Sequence, residues 1–330
     1  MWLLLIVSAF AGYGDAVDGH PSRGEREVHL WTNGVRIAPR AYADDYGYGG
    51  GSCFDDASFT AEQKKPHAPL AWHDGLADIA RQHSEDMSAT DAKDGGGKGS
   101  SLSHNSSDGT SFAKRVKPYY PGTALGENVA FGFTSPFSVV MGWMCSEGHR
   151  SNIMATEFVE LGVGQADVFW TQDFGGRSVT TRTLNMGVHL EDSPAGTVTL
   201  AVDAWSPTDP VVAVLDGEAH DMDEARVGDS GGVYQIELPL DAGCHLYWFA
   251  SGADRFPEEG AYGFGDCAFD DEEAGWVTAD GIHALLPNAD LDGDGKPDHA
   301  GGGGGGCAQA PVSMGWIGLL GLLAARRRRA

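Results

Sequence analysis

The sequence predicts an α+β protein whose second half is all β. Apolar residues recur at helical spacing over residues 76–87, and further helices are expected in the first half. Residues 161–166 and 168–173 are rich in β-forming side chains and predict strands of a small sheet flanked by those helices. Over residues 180–286, short alternating apolar runs are separated by turn residues, which is typical of an antiparallel β-sandwich.

The N-terminus has the pattern of a secretory signal peptide. The apolar run MWLLLIVSAFA, residues 1–11, ends in a small-x-small site at Ala9 and Ala11. We therefore expect cleavage near Ala11, export of the mature chain and a short linker over residues 12–24. The alternative, a short buried helix, lacks an amphipathic continuation.

Two helices are predicted in the first hundred residues. The first covers about residues 25–37 and stops before Pro39, since proline cannot continue the backbone ladder. The aromatic residues of the glycine- and tyrosine-rich loop 42–51 are expected either to cover a surface or to line a groove. The second helix begins with Asp74 as its cap, and its apolar face includes His83, which we expect to be packed and hydrogen-bonded.

Two more helices are predicted before the strands. A short one lies around residues 111–117, after an Asp-Gly turn signal. Another begins at Ser135 and Pro136, a capping residue followed by proline in the first turn. Gly148 is expected to close this helix and to introduce His149.

The cysteines predict a disulfide framework. Five cysteines in an exported chain suggest two disulfides and one spare thiol. Cys244 and Cys267 lie together in the β-rich half, which leaves Cys53 and Cys145 as the second pair. Cys307 stands apart, directly after a run of glycines.

Several short motifs occur in a fixed order between residues 102 and 175. They read SLSHNSSDGTSF, LGENVAFG, GWMCSEGHRSNIM, FVELGVGQA and FWTQDFG. With the preceding helix LAWHDGLADIARQHSEDM, this stretch resembles the CAP superfamily (cysteine-rich secretory proteins, antigen 5 and pathogenesis-related proteins; the SCP domain) in its short bacterial form. The resemblance implies a CAP-type α-β-α sandwich over residues 25–176. The alternating apolar runs predict an all-β sandwich-like domain after it, over residues 177–287.

The resemblance also implies a cleft built around two histidines and two acidic residues. By motif, the histidines match His104 and His149, and the first acid matches Glu127 in GENVA, whose neighbours are expected to form a turn. The second acid falls on Ser146 in this chain. Glu147 is adjacent, but on a helix it would point about 100° away.

Two interpretations of this cleft remain open. Two imidazoles and a carboxylate are a ligand set for a divalent cation such as zinc or magnesium. The same three side chains are equally suited to a hydrogen-bonded network that holds three segments together.

One motif suggests a different chemistry. Residues 228–232 spell GDSGG, the nucleophile motif of trypsin-like proteases. That chemistry requires a histidine base and an aspartate upstream, and no matching histidine motif precedes it. We expect a β-turn here.

An acidic and glycine-rich linker is predicted over residues 288–310. Asp290, Asp292, Asp294 and Asp298 have the spacing of a calcium loop, although the glutamate of a complete EF-hand is replaced by glycine. The sequence therefore predicts either a loose calcium-binding loop or a merely acidic linker.

The C-terminus, residues 311–330, is an apolar run followed by four arginines. Together with Cys307, it resembles the MYXO-CTERM sorting tail, which implies processing near that cysteine and attachment to the cell surface. The alternative is an uncleaved membrane anchor. In either case the remainder of the chain faces outward or is released.

These features predict an exported, cell-surface protein. The net charge of −25 excludes a nucleic-acid partner, because such a surface repels phosphates. We expect the cleft to bind a metal ion, a lipid, a glycan or a protein at the surface without catalytic turnover. The alternative is a metal-dependent hydrolase or protease with His104 and His149 as ligands and Glu127 as base.

Overall fold

The computed structural model describes residues 12–47, 51–54, 59–191 and 193–286. The helices in these ranges are α1 (Arg23–Ile37), α2 (Asp74–Lys93), α3 (Phe112–Val116), α4 (Pro136–Cys145), α5 (Glu147–Ile153) and α6 (Ala279–Leu285). The strands of the first half are β1 (Ala71–Trp72), β2 (Ala124–Phe131), β3 (Glu160–Ala166) and β4 (Phe169–Gly176). Those of the second half are β5 (Leu184–His189), β6 (Thr197–Trp205), β7 (Val212–Leu215), β8 (Glu218–Asp221), β9 (Asp223–Gly228), β10 (Gly231–Pro239), β11 (Cys244–Ser251), β12 (Asp254–Phe256), β13 (Ala261–Gly265) and β14 (Trp276–Val277).

The first half is an α-β-α sandwich, as the resemblance implied. Its sheet has the strand order β1-β3-β4-β2, in which β1 is parallel to β3 and the other pairs are antiparallel. Helix α2 lies so close to one face that a methyl group on Gly162 or Gly164 would overlap the backbone of α2. Helix α1 lies on the other face, where Gln172 of β4 donates a hydrogen bond to Thr32 at 2.7 Å.

The second half is all β, as predicted. One sheet has the order β5-β6-β10-β9, and the other has the order β14-β13-β11-β7-β8, with β12 also pairing with β11. The Tyr247 hydroxyl of β11 accepts a hydrogen bond from the backbone N–H of His189 in β5 at 3.1 Å, which joins the two sheets. The GDSGG segment forms the β9–β10 hairpin turn, so the expected β-turn is confirmed.

Helix α1 lies between the two halves. Every residue from Glu25 to Ile37 is buried, because α1 contacts β3 on one side and β5, β6 and β10 on the other. One continuous hydrophobic core therefore includes Trp31 of α1, Leu161 of the first sheet and Leu200 of the second half. The domain boundary at residue 176 remains a prediction, since the core crosses it.

Several local predictions were wrong. Residues 12–21 are not a free linker: the Tyr13 hydroxyl accepts from the backbone of Trp72 at 2.9 Å, and the Gly19 N–H donates to Asp271 at 2.5 Å. Tyr42 and Tyr46 are fully buried in the core instead of covering a surface. These errors share a cause, since each segment is buried by chain that is distant in sequence.

Helix boundaries also differ near the predicted cleft. The cap of α2 is His73, whose ring accepts from the Leu76 N–H at 3.1 Å, and Asp74 is the first helical residue. The helix that begins at Pro136 ends at Cys145, because Ser146 is extended and starts the separate helix α5. Ser135 caps the start of α4 as predicted.

Both predicted disulfides are formed. Cys53 and Cys145 have a Cα–Cα distance of 5.6 Å, and Cys244 and Cys267 have one of 4.5 Å. The first bridge ties the loop after α1 to the end of α4. The second bridge joins β11 to the segment after β13.

Other predictions lie outside the described residues. They are the signal peptide (1–11), the calcium loop with Asp290, Asp292, Asp294 and Asp298, the spare thiol Cys307, and the C-terminal tail. Within the described ranges, no helix is long and apolar enough to cross a membrane.

We predict that the two disulfides stabilise the protein unequally. The Cys53–Cys145 bridge spans 92 residues and the Cys244–Cys267 bridge spans 23. Loop-closure entropy then gives losses of about 4–5 and about 3 kcal/mol for the paired cysteine-to-serine variants. Denaturant unfolding of both double variants measures this difference. A larger loss for the shorter loop would contradict the chain-entropy account.

Candidate functional site

Strand β2 is at the edge of the first sheet, and it carries Glu127 in its interior, not in the predicted turn. Glu127 lies directly opposite Asp173 of β4, so their side chains share one face. This is the face covered by α2, since Thr171 of β4 contacts Ser84 of α2 at 2.9 Å. The Glu127 side chain is 1% exposed.

Both carboxylate oxygens of Glu127 have partners. Arg115, from α3, donates to Oε2 in a buried ion pair. His104 Nδ1 lies 2.8 Å from Oε1. Glu127 raises the pKa of His104 above its usual range through this hydrogen bond, while partial burial opposes the shift. The His104 side chain is 57% exposed, so its outer edge faces solvent.

Side chains of α2 and α3 form hydrogen bonds to the loop that carries His104. His83 Nε2 of α2 lies 2.7 Å from the Ser103 carbonyl oxygen, and burial lowers the pKa of His83. This confirms that His83 is a packed, hydrogen-bonded residue. Arg115 also donates to the carbonyl of His104 at 3.2 Å and to the hydroxyl of Ser106 at 3.2 Å. The position of His104 is therefore set by its backbone and by Nδ1, and the Nε2 side of the ring faces solvent.

Asp173 is the part of the site that sequence reasoning missed. It is fully buried and faces Glu127 across the two strands. Burial first, and then the charge of Glu127, raise the pKa of Asp173 well above its usual range, although Arg115 opposes this. A carboxyl group in this setting is held in its neutral form.

His149 lies on α5, which packs on the opposite side of β2. The His149 carbonyl accepts from Asn128 at 3.2 Å, and Asn152 of the same helix bonds to Asn128 at 2.9 Å. The ring of His149 forms no hydrogen bond to the described part of the chain. Burial, and then the charge of His104, lower the pKa of His149.

Glu147 does not enter this arrangement. It is exposed in the first turn of α5, and Ser146 before it is extended, so the predicted helical offset between the two does not apply. Arg150 of α5 is buried, donates to the Met144 carbonyl at 2.7 Å and stacks on Phe59, in agreement with its predicted structural role.

The divalent-cation site expected from His104, Glu127 and His149 remains a prediction. Among the described residues, no group of three His, Cys, Asp or Glu side chains is arranged to hold a metal ion. Glu127 is engaged on both oxygens, and one of its partners is a guanidinium that repels cations. Glu127 is thus bonded to His104 and Arg115 and not to the ring of His149.

The fold and this histidine–glutamate–arginine site define a CAP-type α-β-α domain. Residues 31–174 match the family described as "CAP: Cysteine-rich secretory protein family". This part of the chain is therefore a CAP domain, and the resemblance seen in the motifs is confirmed for it.

Two curated relatives come from Bacillus subtilis. The chain is 32% identical over 108 residues to the "Uncharacterized membrane protein YlbC" and 35% identical over 119 residues to the "Uncharacterized protein YkwD". These matches cover 32% and 35% of this chain, and 29% and 42% of the relatives. The chain thus spans less than half the length of either relative.

Solved structures with partial similarity are also bacterial. An extracellular protein with an SCP domain from Bacillus anthracis is 32% identical, with a TM-score of 0.29 and coverage of 34% of this chain and 35% of that one. An outer surface protein of Borrelia burgdorferi is 20% identical, with a TM-score of 0.26 and coverage of 33% of this chain and 78% of that one.

We predict that Glu127 matters more to stability than His104 does. Glu127→Ala leaves Arg115 buried without its counter-charge, which costs about 3–5 kcal/mol. His104→Ala removes a largely exposed partner and costs less than about 1 kcal/mol. Chemical denaturation of both variants tests this, with the exposed Glu147→Ala as a matched control expected to change stability by less than about 0.5 kcal/mol. Equal losses for Glu127→Ala and His104→Ala would contradict the assignment.

Proposed function

We propose that this protein is an exported, surface-attached binding protein. Its CAP domain presents His104 to a ligand at the cell surface and does not turn that ligand over. The signal-peptide pattern and the C-terminal tail of the sequence support export and attachment, and the relative YlbC carries the name of a membrane protein.

The proposal rests on the hydrogen-bonded group formed by His104, Glu127 and Arg115. Glu127 is fully engaged by His104 and Arg115, so Nδ1 of the imidazole is fixed and only its outer nitrogen is available. Because the pKa of His104 is raised, this edge carries a proton over more of the neutral range than an ordinary histidine. Such an edge donates a hydrogen bond to a polar or anionic group of a lipid or glycan.

No described contact favours the hydrolase alternative. A nucleophile needs a base within hydrogen-bond reach, and no serine or cysteine side chain of the described residues is bonded to the ring of His104 or His149. Cys145, the cysteine nearest to His149 in sequence, is in a disulfide.

We predict that surface binding depends on His104. Sedimentation of the protein with phosphatidylcholine vesicles, whose headgroups carry no net charge, and separately with purified peptidoglycan, identifies the source of the ligand. His104→Ala should weaken binding to one of them about tenfold, the loss expected for a charge-assisted hydrogen bond. His220→Ala, in β8 of the second half, is the matched histidine control and should bind like the wild type. The proposal fails if neither material is bound or if His104→Ala binds equally well.

We predict that zinc does not bind through the two histidines. Calorimetric titration near pH 7.5 and near pH 5.5, on either side of the usual histidine pKa of about 6.5, separates the two interpretations of the cleft. Because His104 and Arg115 already occupy both oxygens of Glu127, zinc should bind weakly. The heat of zinc binding should be the same for the wild type, His104→Ala and His149→Ala. A cation held by neutral imidazoles would instead lose affinity as the pH falls, beginning above pH 6.5 because the pKa of His104 is raised. Such a loss, abolished in both variants, would establish the cation site.

A further inference from the structure

A groove lies where the CAP domain meets the β-rich half, at the β1 edge of the first sheet. It consists of two adjacent cavities of about 330 and 460 Å³. Both are lined by Ala71 of β1 and by residues 179–181, the segment that connects the two halves. Since β1 and β2 are opposite edges of the sheet, this groove is separate from the His104 site.

Arg36, near the end of α1, lines the smaller cavity with a buried and unneutralised charge. The residue is 2% exposed. Its Nε donates to the Ala68 carbonyl at 2.9 Å, and its Nη1 donates to the carbonyls of Ile153 and Ala155. Burial lowers the pKa of Arg36 to about 9, so the guanidinium stays charged at neutral pH.

The remaining Nη2 group of Arg36 has no acceptor among the described residues. None of the described carboxylates forms an ion pair with Arg36, and the exposed Glu157 provides only a longer-range attraction. A buried cation without a counter-charge is costly. A ligand that brings an anionic group to Nη2 would remove that cost.

The other charges around the groove are already neutralised. Glu62 at the rim is paired with Lys65 at 2.7 Å. Glu160 in the larger cavity accepts two hydrogen bonds from Arg177, at 2.5 and 2.6 Å. Burial lowers the pKa of His67, so that side chain adds no positive charge at neutral pH. Arg36 is thus the unmatched charge of the smaller cavity within the described residues.

The walls of the smaller cavity are partly apolar. Phe158, Val159 and Trp205 line it together with the polar side chains Thr156 and Asn185. We propose that this cavity binds a small organic acid, with its carboxylate on Arg36 Nη2 and its apolar body against Phe158 and Trp205. The ligand would contact both halves of the protein, a common position for a binding site.

Benzoate is a suitable probe, because it combines one carboxylate with an apolar ring. Calorimetric titration of the full chain should detect benzoate binding. Benzamide, which has the same shape without the charge, should bind about tenfold more weakly. Arg36→Gln should weaken benzoate binding by a similar factor. Arg177→Gln, in the neighbouring cavity but paired with Glu160, is the matched control and should leave it unchanged.

If Arg36→Gln does not fold, a second variant can be used to test benzoate binding in the cavity. Val179→Trp places a bulky side chain in the lining of the cavity and leaves Arg36 in place. Loss of benzoate binding in this variant supports the site. The proposal is overturned if benzoate does not bind, if benzamide binds equally well, or if benzoate binding survives in Val179→Trp or in a folded Arg36→Gln protein.

Discussion

The burial of α1 on all sides is the constraint on which the rest of the structure depends. A helix between two sheets must satisfy its polar side chains internally, because no water reaches them. Asn33 does so by bonding to the backbone of Leu70 in both directions, at 2.8 and 3.1 Å. Arg26 does so only in part: it donates to the Pro21 carbonyl at 2.8 Å and stacks on Tyr262 with its guanidinium 3.4 Å from the ring centroid, while Nε and Nη2 have no hydrogen-bond partner among the described residues. These contacts fix the β-rich half relative to the CAP domain.

Strand β2 imposes a second constraint because it is an edge strand of the first sheet. The helices around it must cover it and still leave His104 exposed. The two faces of β2 make different contacts. Glu127 points to the α2 side, where Arg115 neutralises it, while Asn128 points to the other side and bonds to α5. Successive side chains of β2 point to opposite faces of the sheet. The charged group of Glu127, Arg115 and the exposed His104 therefore lies on one face, and the neutral amide network that bonds to the His149 carbonyl lies on the other. Glu127 bonds to the first histidine and Asn128 to the backbone of the second, so the two histidines do not share a partner.

Motif order in the sequence was enough to predict the CAP domain and the contact between His104 and Glu127. It did not predict Asp173, because the pairing of that residue with Glu127 depends on the register of β2 and β4, which is set by tertiary contacts. Arg115 was missed because a helix of only five residues is too short to show a periodic pattern that would mark one arginine. The extended Ser146 was missed for a related reason: the backbone conformation that divides α4 from α5 leaves little trace in local propensity.

The same helix that joins the two halves also connects the two proposed sites. Thr32 of α1 accepts from Gln172, which in turn accepts from Asn128 at 3.1 Å, and Asn128 contacts α5 below His149. One turn further along α1, Arg36 holds the end of α5 through the carbonyls of Ile153 and Ala155 and lines the groove at the other edge of the sheet. Helix α1 thus bonds directly to the C-terminal end of α5 through Arg36 and is connected to His149 only through Gln172 and Asn128. Because these hydrogen bonds are internal and closed, α1 acts as a rigid frame that sets the position of the cleft and of the groove together.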